Sequence, residues 1–248
     1  MLIMEVITME KDKKILLGII GIILLAAIVI VVLVVKDNKK VEYREDALKF
    51  EKEYEKLNNQ GNDYNDKLYL ELDIAKDNIV EYATEEKIVE VLEKGNGVIY
   101  FGFPNCPWCR AMINPLLETA KENGIKKIYY LNILELRDAY KVEDKEVLRT
   151  KEGSDAYYKI LDELSDCLAD YSVTDAKGKE YATGVKRLYA PTVVMVKKGE
   201  VKAFHEDVVE SLEDPYAGLS EEQDQELREI FNDMIAKYQG NTCTKEGC

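Results

Sequence analysis

Residues 98–103 read Val-Ile-Tyr-Phe-Gly-Phe, a continuous apolar run. Such a run suits a central strand buried on both faces, which demands helices on either side of a sheet. Directly after it, Cys106-Pro107-Trp108-Cys109-Arg110 opens a helix expected to reach about Asn123-Gly124, with Pro115 kinking it. Residues 127–133 (Lys-Ile-Tyr-Tyr-Leu-Asn-Ile) form the next strand. Strand, helix, strand in this order is a βαβ unit, so the two strands are expected to pair in parallel.

The surrounding chain extends this α/β pattern. Residues 79–83 alternate like a strand, Thr84 is a good N-cap, and residues 86–92 carry an amphipathic helix ending at Gly95. From 135 to 189 the pattern changes, and the segment is read as a helical insertion. Its helix spans 154–168, with Tyr157, Ile160, Leu161, Leu164, Cys167 and Leu168 on one stripe. Residues 175–178 make a turn between two short extended pieces. Residues 191–196 and 201–204 form a hairpin across Lys198-Gly199. Ser220 caps a last helix that runs to about Tyr238. The folded domain is placed at 69–240, and a tail at 241–248 carries Cys243 and Cys248.

Residues 15–35 contain no charge, and as a helix they span about 31 Å, the thickness of a bilayer core. They predict a single transmembrane helix behind a cytoplasmic N-terminus at 1–14. No small-residue cleavage site follows, so an uncleaved signal anchor is the preferred reading. Lysines flank the segment almost equally, and the domain is placed outside the cytoplasm because long domains translocate largely regardless of charge. Residues 36–68 read as a charged, solvated helical stalk. The net charge of −14 argues against a nucleic-acid partner.

The paired cysteines carry the chemistry. Cys106 falls where an N-cap belongs, and Pro107 falls at the first helical position, where its missing N–H costs nothing. A Cys106 thiolate there accepts hydrogen bonds from unpaired N–H groups, including that of Cys109, and the helix dipole favours it. Both effects lower the thiol pKa and make Cys106 the attacking sulfur. Cys109, one turn on, is within disulfide reach and resolves the mixed disulfide.

Strand, Cys-Pro-Trp-Cys, helix, strand, and then Ala190-Pro191-Thr192 before the final hairpin resemble the thioredoxin-like superfamily over about 69–238. The Cys-Pro-aromatic-Cys-Arg string is similar to the glutaredoxin branch. The anchor and insertion are similar to extracytoplasmic disulfide oxidoreductases and bacteriocin-transport-accessory-type proteins. The resemblance implies a thioredoxin-like fold that catalyses thiol–disulfide exchange on protein thiols and disulfides, with no metal or organic cofactor. It implies a cis Pro191 against Cys106, Ala190 offering backbone hydrogen bonds to substrate, and Pro191 with Thr192 lining the groove. One departure stands out: where thioredoxins carry a buried acid six residues before the first cysteine, this chain has Tyr100.

Other readings compete. A non-enzymatic accessory module for a transporter or secreted peptide would tolerate loss of both cysteines. A metal or redox sensor would use Cys106, Cys109, Cys243 and Cys248 together. The terminal pair reads first as a small structural disulfide and second as a mobile dithiol exchanging with Cys106–Cys109. Cys167 reads as a packed, inert thiol, His205 as a strand surface residue, and the sixteen tyrosines as a reflection of base composition.

Overall fold

Residues 98–101 are each 1% exposed or less in the computed structural model, so the run is buried on both faces. The structure describes residues 22, 24–26, 42–62 and 65–240. In chain order the elements are α1 (Glu45–Glu55), β1 (Val80–Tyr82), α2 (Glu85–Lys94), β2 (Asn96–Gly102), α3 (Pro107–Glu122), β3 (Ile128–Asn132), β4 (Ala139–Glu143), β5 (Glu146–Lys151), α4 (Asp155–Glu163), β6 (Asp170–Thr174), β7 (Glu180–Lys186), β8 (Thr192–Lys197), β9 (Glu200–Glu206) and α5 (Glu221–Gln239). A central mixed sheet has the order β1-β3-β2-β8-β9. As expected, β2 pairs in parallel with β3, Val98 opposite Ile128 and Gly102 opposite Asn132. The β2–β8 and β8–β9 pairs are antiparallel.

Alternation along β2 divides the core into two layers. Val98 and Tyr100 pack with apolar residues of α1, α3 and α5. Ile99 and Phe101 pack with those of α2 and α4. The local signals act as their chemistry dictates. Thr84 Oγ1 accepts the Lys87 N–H at 3.2 Å, and Ser220 and Gln223 form a reciprocal capping box. Lys198 and Gly199 both have positive φ, 56° and 75°, as a two-residue hairpin turn requires. A Cβ on Gly199 would lie 2.3 Å from the Glu93 carbonyl oxygen, so glycine is needed there twice over.

Three expectations need correction. The first is the stalk. Helix α1, inside it, packs in the core: Ala47, Phe50 and Tyr54 are fully buried. These positions repeat at spacings of three and four, which makes a narrow apolar stripe on an otherwise charged helix. By its internal contacts the chain divides into Met1–Glu42 and Tyr43–Cys248, so α1 belongs with the domain. The second is the insertion. It holds one helix and two hairpins, β4–β5 and β6–β7, rather than being mainly helical. Asp144 and Lys145 take positive φ, 49° and 71°, and turn the first hairpin without a glycine to announce it. The third is the insertion's helix, which stops at Glu163 rather than 168. Tyr157, Ile160, Leu164 and Leu168 are buried, but Cys167 lies past the helix end and is exposed.

Of the transmembrane helix expected over 15–35, only Ile22, Leu24, Leu25 and Ala26 are described. They are helical and exposed; the rest of that span and the N-terminus lie outside the described residues. Among the described residues no helix is long and apolar enough to cross a membrane.

Candidate active site

The chain leaves β2 through a tight turn in which the Cys106 N–H donates to the Phe103 carbonyl at 3.2 Å. Cys106 is the N-cap of α3, with extended φ −87° and ψ 118°, and Pro107 takes the first helical position. The first intrahelical bond runs from the Arg110 N–H to the Cys106 carbonyl at 3.1 Å. Cys106 Sγ accepts the Cys109 N–H at 3.4 Å, and the Cys106 thiol faces the Ala190 carbonyl, also at 3.4 Å. Both cysteines are free thiols. Cys106 retains 6% exposure and Cys109 none, so of the two residues only the first meets solvent.

Electrostatics separates the two sulfurs. The Cys109 thiol beside it, the N–H groups of Cys109 and Trp108, and the Arg137 guanidinium together outweigh burial and hold the Cys106 thiol below its ordinary pKa. Burial, reinforced by the adjacent Cys106 sulfur, pushes the Cys109 thiol well up. The two sulfurs are thus driven in opposite directions, Cys106 toward the thiolate and Cys109 toward the thiol.

The Ala190–Pro191 peptide is cis. Pro191 is buried, and Ala190 is half-buried beside Cys106. Thr192 does not line a groove: it is fully buried, and its hydroxyl donates to the Tyr189 carbonyl at 2.9 Å. It is the first residue of β8, paired with Phe101, and its side chain faces inward. The open cavity next to the pair, about 320 Å³, is lined by Trp108, Tyr189, Ala190, Glu206 and Asp207. Glu206 accepts the Tyr189 N–H at 3.3 Å, and burial raises its pKa.

The remaining sequence candidates fall elsewhere. His205 is half-buried on β9, not free on the surface. Its Nε2 lies 2.9 Å from the Val208 carbonyl and so carries the proton, its ring meets Phe231, and burial lowers its pKa. Cys243 and Cys248 lie outside the described residues. Among the described residues no group of three or more His, Cys, Asp and Glu side chains is placed to hold a metal ion.

Two features had no reading in sequence. Arg137, from the start of the insertion, sits over the Phe103 ring at 5.0 Å and brings a positive charge to the cysteines. Arg110 is 1% exposed and meets carbonyls in place of a carboxylate. It donates to Tyr54 at 2.8 Å, Leu70 at 3.1 Å and Pro104 at 3.3 Å, and to Asn58 Oδ1 at 2.7 Å. That clasp ties α1 and the segment after it to the turn carrying the cysteines. The Cys-Arg dipeptide was a visible signal for it; nothing in the sequence links Arg137 to Cys106. Compared with protein-family models, with curated proteins and with solved structures, the chain matches none.

Proposed function

We propose that this chain is a membrane-anchored thiol–disulfide oxidoreductase of thioredoxin-like fold, acting on protein thiols and disulfides outside the cytoplasm. The observation that carries the reading is Cys106 Sγ at the tip of α3, 3.4 Å from the Cys109 N–H, with its partner sulfur one turn behind. The parallel β2–α3–β3 unit, the antiparallel β8–β9 hairpin and the cis Pro191 beside Cys106 agree with the fold. The apolar stretch at 15–35 supports the anchor.

Cys106 attacks a substrate disulfide, or the Cys106–Cys109 disulfide is attacked by a substrate thiol. The direction is set by the reduction potential of the pair and the partner that resets it. Trp108, Tyr189 and Ala190 offer an apolar wall and a backbone acceptor to an extended substrate strand.

The test is disulfide exchange by the full-length chain with a protein that needs disulfides for its activity. Cys106→Ser abolishes exchange, and Cys109→Ser accumulates a mixed disulfide with the substrate through Cys106. Full activity in Cys106→Ser overturns the proposal and favours a non-enzymatic accessory module.

A further inference from the structure

We infer that the Tyr100 hydroxyl, held by Tyr54 of α1, is the hydrogen-bond donor that stabilises the Cys109 sulfur when it becomes an anion in the resolving step. This inference rests on the thiol–disulfide exchange proposed above.

Three observations carry it. The Tyr54 and Tyr100 hydroxyls lie 3.1 Å apart, and both residues are fully buried. A Cβ built on Gly102 would lie 2.5 Å from the Tyr100 hydroxyl oxygen and 3.1 Å from Cys109 Sγ. Both atoms therefore border the one small space that glycine leaves open. Finally, Arg110, the residue after Cys109, holds the Tyr54 carbonyl at 2.8 Å and so fixes the last turn of α1 against α3.

The chemistry follows from where the charge goes. In the resolving step Cys109 loses its proton and its sulfur bonds to Cys106 Sγ. The bond between Cys106 Sγ and the substrate sulfur breaks, and that sulfur leaves with the electron pair and takes up a proton. Cys109 is oxidised and the substrate sulfur is reduced. For a moment a sulfur with no solvent contact carries negative charge, and an unpaired buried anion is costly. Burial pushes the Tyr100 and Tyr54 hydroxyls well above the ordinary tyrosine pKa, so each keeps a proton to donate. When Tyr54 is the donor, one of the two directions the pair allows, the Tyr100 proton is free to point at the sulfur. A buried acid in this place would take the thiol proton; a phenol pair instead lowers the energy of the thiolate. Tyr100 is thus a catalytic residue and Tyr54 a positioning residue, and α1 is part of the active site.

Tyr130 supplies the control. Its ring stacks on Tyr100 with centroids 5.6 Å apart, yet its buried hydroxyl, which lies near Tyr54, makes no hydrogen bond to Tyr100 or Cys109. The experiment mixes the reduced full-length chain with oxidised glutathione, quenches with acid, and follows by mass spectrometry the mixed disulfide on Cys106 and its conversion to Cys106–Cys109. Tyr100→Phe is expected to slow that conversion about ten- to a hundredfold, the range for losing a hydrogen bond to a charged group, while leaving formation of the mixed disulfide unchanged. Tyr54→Phe slows conversion about two- to tenfold, and Tyr130→Phe leaves it within about twofold. Conversion in Tyr100→Phe within about twofold of wild type overturns the inference and leaves the proposed function standing. So does an equal slowing of both steps in Tyr100→Phe and Tyr130→Phe, which marks a packing effect. No mixed disulfide on wild-type Cys106 overturns the function itself.

Discussion

Helix α1 and the insertion at 135–189 both look peripheral in sequence, and the structure separates them. On α1, charged side chains dominate, yet Ala47, Phe50 and Tyr54 reach the core and bring a hydroxyl to the site. Of the four strands of the insertion only β7 alternates along most of its length, and none of their side chains is fully buried. Its hairpins meet through the Tyr140–Tyr171 ring pair, and its neck is closed by the Asp138–Arg187 ion pair. Spacing against an available gap decided core membership here, and apolar content did not. The two regions also divide the work at the cysteines: α1 lies behind Cys109, and the insertion contributes Arg137 toward Cys106.

That contrast can be broken in order of expected effect. Phe50→Ala removes a fully buried ring and is expected to cost about 3–5 kcal/mol in urea unfolding of the full-length chain. A loss under about 0.5 kcal/mol, the range for surface positions, would return α1 to the status of a spacer. Asp138→Ala leaves Arg187 buried and unpaired at the neck of the insertion. It is expected to cost about 3 kcal/mol by the same measurement. Arg137→Gln leaves stability nearly unchanged but removes a positive charge acting on Cys106. The pH midpoint of Cys106 alkylation should then move up toward that of a free thiol. The sign is fixed because a cation favours the thiolate. At the small end, Leu148→Ala on exposed β5 should change stability by less than about 0.5 kcal/mol.

Sequence disclosed the parts of the fold that rest on local chemistry. The apolar run of β2, the caps at Thr84 and Ser220, the Lys198-Gly199 turn and the cysteine spacing each name a conformation by themselves. What depends on distant partners stayed hidden. Phe50 and Tyr54 sit among charges and have meaning only once β2 and β3 supply Tyr100 and Tyr130 to pack against. The tyrosines read as compositional bias include Tyr54, Tyr82, Tyr100 and Tyr130, which form one buried or half-buried cluster. Cys167 lies on the helical stripe only if the helix continues, and it ends one turn earlier. Thr192 follows Pro191 as the motif leads one to expect, but β8 is buried on both faces there and encloses its side chain. The β4–β5 turn escaped because Asp144-Lys145 carries no glycine and β5, with Val147 and Leu148 adjacent, does not alternate.

Everything proposed for this chain depends on Cys106 being an activated nucleophile at the start of α3. The direct measurement is the rate of iodoacetamide alkylation at Cys106 against pH in the reduced full-length chain, with the site identified by mass spectrometry. The lowered Cys106 pKa predicts that the rate rises and levels off below the free-thiol value of about 8.5, while Cys109 stays unmodified across the same range. A Cys106 midpoint at or above the free-thiol value, or earlier modification of Cys109, would contradict the account.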